Sequence, residues 1–502
     1  MSGPFKSHPA EFDQRVLFPS NVFDLLPSDH ECYLYKSLFD QIDTTSIEET
    51  YSRKGQRAYP PKQITSILIY AYSRGVFSSR EIEKRCNQDL SFLYIAEMHC
   101  PNFRVLSDFR KKHGAFFQDC FKQTVRLAME LKLASLGHIS LDGSKFQANS
   151  SKHKAMSYQR LIEKEQALGE EIAALVEQAG RCDAEEDRAY LDRTGYEIPE
   201  DLKHKESRLA RIREAKQALE EREQALNPGQ PIDGKKQISF ADKDARIMGK
   251  HGDFEYRYNG QISVDKDHQV IVGQHLSQQA NDQQEVEVAL DKVEEASDRQ
   301  ADKMSADTGY LSGDNLEALE ARGIDAYIAT ERGEKDAKLG LDQSERKLVK
   351  ADFEYNETDN TFTCPGGQVL AMRQEGKDGK RTYRGDATRC GTCRYQSRCC
   401  QSSTGQARTI HTDAKEPLRQ RMKAKMQTEQ AKAVYKKRKV IVEPVFGQIK
   451  NGGFRRFSVR GKEKAAGEFS LVCATHNFKK IAKSIIQGVV RPEFGKSAAN
   501  PA

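Results

Sequence analysis

Three acidic residues lie in contexts that suit metal-dependent chemistry. Asp142 and Asp307 each follow a short run that could end a buried strand. Glu443 opens a predicted helix, and Lys450, seven residues on, shares its face because seven residues is close to two turns. Hard divalent cations need carboxylate oxygens from converging elements, and two such ions can clamp the attacking and leaving oxygens of a phosphodiester. The candidate chemistry is therefore metal-dependent cleavage or transfer of a DNA strand.

The order and setting of these residues resemble the DDE transposases of bacterial insertion sequences. The third motif of that family usually reads Tyr-x2-Arg-x3-Glu-x6-Lys. The residues that match it here are Tyr435, Arg438, Glu443 and Lys450. The spacing from Arg438 to Glu443 is one residue longer than in the family, so Lys439 is the alternative for the Arg position.

The resemblance covers about residue 15 to about residue 485 and implies a ribonuclease-H-like catalytic core. In such a core Asp142, Asp307 and Glu443 hold two Mg²⁺ or Mn²⁺ ions, with Asp142 bridging them. The resemblance also implies that side chains of the third motif and its continuation bind DNA phosphates: Tyr435, Arg438, Lys450, Arg455 and Arg456. Any single carboxylate is more often a surface or helix-capping group, so this prediction depends on the ordered set. Asp244 and Asp265 are the next candidates for the two Asp positions.

Composition limits the class of protein. A chain of 502 residues suggests roughly two to four domains, and a net charge of +6 says little about partners. Basic side chains crowd between Lys415 and Lys462, around Glu443, and we interpret this run as a DNA contact rather than an ordinary solvated face. No apolar run is long enough to span a membrane, and the first residues lack the apolar core of a signal peptide. We expect a cytoplasmic bacterial protein.

Residues 15–135 are predicted to form an all-helical, DNA-binding domain. One helix begins at Pro60-Pro61 and ends near Gly75, and Ser78 with Glu81 suggests a capping box on the next helix. The last of three short helices ends near His113 and is basic, with Arg104, Arg110, Lys111 and Lys112. This pattern resembles a helix-turn-helix, although an ordinary helical bundle with a basic surface fits the residues about equally well.

Residues 136–485 are predicted to form an α/β catalytic domain with a mixed sheet and two insertions. The pattern gives a strand over 137–142, a helical hairpin over 155–228, and then two strands, a helix, a strand, a helix and a strand. The ribonuclease-H-like name for that order comes from the resemblance. The hairpin is either a dimerisation arm, a DNA-contacting arm or a plain surface coiled coil. Residues 486–502 are predicted to be a flexible tail.

A cysteine cluster distinguishes the second insertion, residues 331–415. Cys364, the pair Cys390 and Cys393, and one of Cys399 and Cys400 suit a structural, tetrahedral Zn²⁺ site. We choose Cys399 as the fourth ligand and treat Cys400 as surplus. The alternative is a group of reduced thiols without a metal.

These observations predict a transposase that binds inverted-repeat ends of double-stranded DNA, cuts them and joins them to target DNA. The family implies a homodimer or a larger synaptic assembly. Two alternatives stay open: an inactive or domesticated DNA-binding protein, and a nuclease of the same fold that never joins strands. Because the chain has no Trp, a mechanism that stacks a flipped base on Trp is excluded in that form.

Overall fold

The computed structural model describes residues 21–51, 58–150, 155–189, 200–250, 252–330, 347–376, 379–400 and 407–492. Helices and strands are numbered in chain order over these residues. In the described part of the chain, no helix has the length and apolar character needed to cross a bilayer. The structure is mixed helix and sheet, with a helical N-terminal region.

The N-terminal region consists of helices in its described part. They are α1 Glu31–Phe39, α2 Thr45–Glu48, α3 Pro61–Ser73, α4 Ser79–Gln88, α5 Leu90–Ile95, α6 Phe103–Lys112 and α7 Gly114–Glu130. Helix α3 begins at the predicted prolines, its apolar side chains from Ile64 to Tyr72 are buried, and Gly75 follows it with a positive φ of 74°. The predicted capping box is wrong, because Ser78 makes no side-chain hydrogen bond at the start of α4.

The rest of the chain supplies the strands and the remaining helices. The strands are β1 Ile139–Gln147, β2 Ala155–Ser157, β3 Gln237–Ser239, β4 Arg246–Lys250, β5 Asp253–Asp265, β6 Ile271–Ser277, β7 Lys303–Ala306, β8 Asp325–Ile328, β9 Glu354–Asn356, β10 Thr361–Thr363, β11 Val369–Glu375, β12 Arg381–Arg384 and β13 Thr409–Thr412. The helices are α8 Tyr158–Ala189, α9 Glu200–Leu226, α10 Val286–Ser297, α11 Gly313–Ala321, α12 Ala387–Gly391, α13 Gln396–Cys399, α14 Glu416–Gln427, α15 Glu429–Lys436, α16 Arg438–Ile441, α17 Glu443–Asn451 and α18 Lys462–Ile486.

The central sheet is mixed and has the order β4-β5-β1-β7-β8, with β6 also paired to β5. Strand β1 is antiparallel to β5 and parallel to β7, and β7 is parallel to β8. The predicted sequence of elements after the helical hairpin is observed, with one additional edge strand, β4, which was not predicted. It forms a hairpin with the first residues of β5, from the pair Lys250 and Asp253 to the pair Arg246 and Arg257.

Helix α18 joins the N-terminal helices to the sheet. It packs on α7, α3 and β6, and one continuous apolar core runs from the N-terminal helices through the sheet. A buried polar cluster lies at this junction: Arg110 on α6 and Tyr72 on α3 meet Glu468 on α18. Arg110, predicted to face DNA, is therefore inside the protein, with 4% of its side chain exposed.

Two further units stand on this core. Helices α8 and α9 pack along each other around their own apolar cluster, with strands β2 and β3 at their base. The Cys-rich segment forms a separate antiparallel sheet, β13-β12-β11-β10-β9, with its own apolar cluster. Sequence patterns did not predict these short strands. The turn of the helical hairpin at 190–199, residues 331–346 and most of the predicted tail, 493–502, lie outside the described residues.

Candidate active site

Asp142 lies inside β1 rather than at its end. The strand continues to Gln147 because Gly143 to Gln147 pair with β5, so the predicted strand over 137–142 is too short. In the parallel register with β7, Ser140 stands opposite Ser305, and their hydroxyl oxygens are 2.6 Å apart. Asp142 and Asp307 are each two residues further along, so they reach the same level on neighbouring strands.

Asp307 directly follows β7 and caps a short 3-10 turn, Thr308–Tyr310. Its Oδ1 accepts a hydrogen bond from the backbone N–H of Gly309 at 2.7 Å. A Cβ on residue 309 would come within 2.9 Å of that oxygen, so glycine permits this close approach. The turn thereby fixes the carboxylate at the carboxyl end of the strand.

Glu443 is brought to Asp142 through Arg438. The guanidinium lies between the two carboxylates, with Nη2 3.1 Å from Asp142 Oδ2 and Nη1 3.2 Å from Glu443 Oε1. Arg438 is buried, whereas Lys439 is exposed. The break between α16 and α17 at Val442 accommodates the additional residue of the third motif. Arg438, not Lys439, therefore occupies the position beside the acidic residues.

Burial and neighbouring charges shift the acid–base properties of this cluster. Burial raises the pKa of Asp142 to about 6; Arg438 opposes the rise and Asp307 adds to it. Burial alone would lower the pKa of Arg438, but Asp142 and its other anionic neighbours raise it above the ordinary value. A buried carboxylate beside other carboxylates is stabilised when a cation approaches.

Lys450 and the segment after α17 lie beside β1. Lys450 donates to Ser144 Oγ, its ammonium lies 5.3 Å from the centre of the Phe146 ring, and burial lowers its pKa. Arg455 and Arg456 are exposed, and the Arg455 carbonyl accepts from the backbone N–H at the end of β1 at 3.0 Å. These three cations therefore border the strand that carries Asp142.

The tyrosine of the third motif lies near the same guanidinium. Tyr435 is half-buried on α15, one turn before Arg438. Burial acts to lower the pKa of Arg438, and Tyr435 is among the neighbours that act to raise it, after Asp142. Tyr435 therefore lies within electrostatic range of the Arg438 guanidinium.

Several basic side chains in the first half of the basic run pair with acidic side chains of the same chain. Some of these ion pairs join the α14 segment to α11 and β8, namely Lys415 with Asp314 and Glu317, Arg421 with Glu320, and Lys425 with Asp325, and others are local, namely Arg419 with Asp413 and Lys432 with Glu429. The interpretation of the whole run as a DNA contact is therefore too broad. The segment from Lys450 to Arg460 keeps exposed cations next to the acidic cluster.

The two reserve candidates have structural roles. Asp265 is buried at the opposite end of the β1–β5 pair, and its carboxylate accepts from the backbone N–H groups of Ser135, Leu136 and Asp267. Asp244 accepts from the Lys462 N–H at 2.9 Å, at the start of α18. Neither carboxylate contacts Asp142 or Glu443, which leaves the original three as the candidate set.

One acidic residue near the site was not predicted. Asp282, in the loop between β6 and α10, accepts hydrogen bonds from Asn259 and Gln261 on β5. Its charge, with that of Asp307, acts to raise the pKa of Asp142. The sequence Ala-Asn-Asp before a helix is also an ordinary helix start, so only the tertiary structure distinguishes Asp282.

The cysteines of the second insertion surround one cavity, lined by Cys364, Cys390, Cys393, Cys399 and Cys400. Backbone N–H groups reach two of the sulfurs: Gln368 donates to Cys364 Sγ at 3.3 Å and Tyr395 to Cys393 Sγ at 3.5 Å. Cys399 belongs to the apolar cluster of this sheet, while Cys400 is less buried. Over the described ranges, no group of three or more His, Cys, Asp or Glu side chains is arranged to hold a metal ion.

Comparison with known proteins gives two family matches. Residues 363–482 match the family described as "Transposase DDE domain", and residues 20–112 match the family described as "Transposase domain (DUF772)". The first match contains the third motif with Glu443, and the second contains most of the N-terminal helices; Asp142 and Asp307 lie between the two matched segments. No curated protein and no solved structure matches the chain.

Proposed function

Because the two family matches together support an insertion-sequence DDE transposase, we propose that the chain binds the inverted-repeat ends of its element, cuts them and joins them to target DNA. The observation that carries this proposal is that Arg438 contacts both Asp142 and Glu443, while Asp307 follows the strand paired with the one that bears Asp142, in the family's order. The order of paired strands around β1 supports a ribonuclease-H-like core.

Divalent cations complete the proposed site. The donor set fits Mg²⁺ or Mn²⁺, because Asp142, Asp307 and Glu443 offer carboxylate oxygens, the ligands such ions prefer. Two bound ions would supply charge neutralisation at the attacking and leaving oxygens of the phosphodiester. Arg438 contacts two of these three carboxylates, so the guanidinium and a cation compete for the same oxygens. We propose that Arg438 neutralises the acidic residues until cations bind, and then serves the DNA phosphate.

The remaining side chains position the strand. Lys450 is a half-buried cation beside β1, and Arg455 and Arg456 extend the positive surface outward. Arginine offers bidentate hydrogen bonds to phosphate and lysine a point charge, so together they can fix the scissile phosphate over the carboxylates. Tyr435 lies one turn before Arg438 and is proposed to contact the same strand. The N-terminal helices are proposed to recognise the inverted repeat.

The structural zinc stays a prediction. It is motivated by five thiols that line one cavity, two of whose sulfurs accept backbone N–H hydrogen bonds, because thiolates are the usual ligands of structural Zn²⁺. Cys399 and Cys400 both line the cavity, so either could be the fourth ligand beside Cys364, Cys390 and Cys393. Metal analysis of purified protein tests this directly: about one Zn²⁺ per chain is expected, and its loss in a Cys390→Ser, Cys393→Ser variant.

Cleavage of a labelled DNA fragment tests the proposed function. The fragment carries the terminal inverted repeat of the element that encodes the chain, and it is incubated with Mg²⁺ or with EDTA. We expect Mg²⁺-dependent cleavage at the end of the repeat, lost in Asp142→Asn and retained in the matched control Glu463→Gln, an exposed carboxylate on α18.

The same assay separates the alternatives. Specific binding without cleavage in either metal condition would indicate a DNA-binding protein without catalysis. Cleavage without products joined to a target plasmid would indicate a nuclease that never joins strands. Joined products from two paired ends, together with a mass in solution of two or more chains, would support the proposed synaptic assembly.

A further inference from the structure

Asp282 stands next to two glycines that flank the candidate site. An added Cβ on Gly143, the residue after Asp142, would lie 3.0 Å from Asp282 Oδ1. An added Cβ on Gly309, two residues after Asp307, would lie 3.6 Å from Asp282 Oδ2. Glycine at 143 therefore lets the Asp282 carboxylate approach the backbone beside Asp142, and the 3.6 Å separation places Oδ2 in van der Waals range of the turn that holds Asp307.

Neighbouring polar side chains hold one oxygen of the Asp282 carboxylate in place. Its Oδ1 accepts from Asn259 Nδ2 at 2.7 Å and from Gln261 Nε2 at 2.6 Å, and Lys145 Nζ is 3.6 Å away. The loop itself is anchored by Glu285, whose carboxylate binds His275 and Ser277. Since these contacts hold Oδ1 in place, Oδ2 is left on the side of Gly309 and Asp307.

A buried oxygen beside Asp282 has no hydrogen-bond donor. Asn259 is fully buried, and its Nδ2 donates to both Asp282 Oδ1 and the Gln279 carbonyl, which fixes the orientation of the amide. Its Oδ1 lies 3.0 Å from the position of a Cβ on Gly143, as Asp282 Oδ1 does, and has no partner among the described residues. A buried carbonyl oxygen without a donor is a place where a cation or its bound water is stabilised.

The count of charges at the proposed cation site also favours a fourth carboxylate. Two divalent cations carry four positive charges, whereas Asp142, Asp307 and Glu443 supply three negative charges and Arg438 already neutralises part of them. Asp282 adds a fourth carboxylate on the side of the site that Arg438 does not contact. Cation affinity rises with the number of carboxylate ligands.

We propose that Asp282 is a fourth carboxylate of the cation site, sharing a divalent ion with Asp307 through Oδ2, and that Asn259 Oδ1 faces the water shell of that ion. This inference rests on the proposed function. It makes Asn259 and Gln261 positioning residues, because they act by holding Asp282 rather than by touching the ion directly.

Binding of Mn²⁺ to the full-length chain, followed by electron paramagnetic resonance without DNA, tests the proposal. Asp282→Asn keeps the size of the side chain and removes its charge. We expect the dissociation constant of the tighter Mn²⁺ ion to rise at least tenfold, with the melting temperature in EDTA unchanged. The matched control is Glu287→Gln, an exposed carboxylate on the first turn of α10, which should bind Mn²⁺ like the unmodified chain.

A second variant separates metal binding from a structural role. In Asp282→Cys we expect Mg²⁺-supported DNA cleavage to fall at least a hundredfold and to recover at least tenfold with Mn²⁺ or Cd²⁺, because thiolates prefer softer ions. Equal losses with every ion, or unchanged Mn²⁺ affinity in Asp282→Asn, would overturn the proposal. If Asp142→Asn also leaves Mn²⁺ binding and cleavage unchanged, the proposed function fails; if only the Asp282 variants are unaffected, this inference alone fails.

Discussion

Replacing Glu468 should destabilise the protein more than any exposed carboxylate on the same helix. Glu468 and Arg110 are 1% and 4% exposed, and Arg110 Nη1 lies 3.7 Å from Glu468 Oε1. The Glu468 carboxylate also accepts from Tyr72 at 2.9 Å and from the Ser458 N–H at 2.8 Å. Glu468→Gln keeps the shape of the side chain but leaves the Arg110 guanidinium buried without its counter-charge.

The expected cost follows from that isolated charge. Removing one partner of a buried ion pair typically costs about 3–5 kcal/mol. Since about 1 kcal/mol moves the melting midpoint of a large domain by roughly 2–4 °C, the midpoint should fall by roughly 6–20 °C. Differential scanning calorimetry of Glu468→Gln, with Glu463→Gln as the exposed control on α18, measures this difference.

A double replacement checks the physical cause. In Arg110→Met with Glu468→Leu no charge is left buried, so the double variant should be more stable than Glu468→Gln. If Glu468→Gln melts within about 2 °C of the Glu463→Gln control, which is under roughly 1 kcal/mol, the buried pair does not hold the N-terminal helices to α18 and the reasoning is refuted.

Three other predictions follow from the same structure. Burial lowers the pKa of His138 to about 4 and of His476 to about 3, against 6.5 for a free histidine. Above pH 6.5 both rings are neutral in the folded and in the unfolded protein, whereas below pH 6.5 only the unfolded chain takes up protons on them. The free energy of unfolding should therefore fall by roughly 3 kcal/mol per histidine towards pH 4. Urea unfolding against pH measures this, and a slope unchanged by His138→Gln contradicts it. Because Arg438 opposes the rise of the Asp142 pKa, Arg438→Gln should move the acid limb of the cleavage rate to higher pH; an unmoved limb in rate–pH profiles would separate Arg438 from Asp142. In Gly309→Ala the new Cβ meets Asp307 Oδ1 at 2.9 Å, so Mg²⁺-dependent cleavage should fall at least tenfold while Gly447→Ala, which meets no neighbour within 4 Å, stays active.

Local patterns predicted the elements whose signal is local. The apolar stripe of α3, the two long helices α8 and α9 and the strand at Lys303–Ala306 all follow their periodicity. The third motif likewise identified a helix starting at Glu443. In each case the residues that decide the structure lie within a few turns of one another.

Features that depend on distant partners were missed. The extension of β1 past Asp142 exists because it pairs with residues 257–261 of β5, far later in the chain, and no local pattern reports that pairing. The basic run around α14 was assigned to DNA because its acidic partners, such as Asp314 and Asp325, lie about a hundred residues away. Arg110 was assigned to a basic surface for the same reason, since Glu468 is 358 residues further along the chain.

Some residues of the candidate site were predicted from the sequence, and others were not. The spacing of the third motif left Arg438 and Lys439 open, and burial decides between them in favour of Arg438. Asp282 has no motif of its own and becomes a candidate only through Asn259, Gln261 and two glycines on other elements. Acidic residues brought together by tertiary structure are therefore the part of such a site that spacing does not predict.

Iron-directed cleavage of the polypeptide tests the central claim most directly, namely that Asp142, Asp307 and Glu443 form one cation site. Fe²⁺ bound in place of Mg²⁺ generates hydroxyl radicals in the presence of ascorbate and peroxide, and these cut the backbone near the ion. Mass spectrometry should find cuts close to residues 142, 307 and 443 together, suppressed by excess Mg²⁺ and absent in Asp142→Asn. Cuts at only one of these segments, or cuts that persist in Asp142→Asn, would contradict a shared cation site.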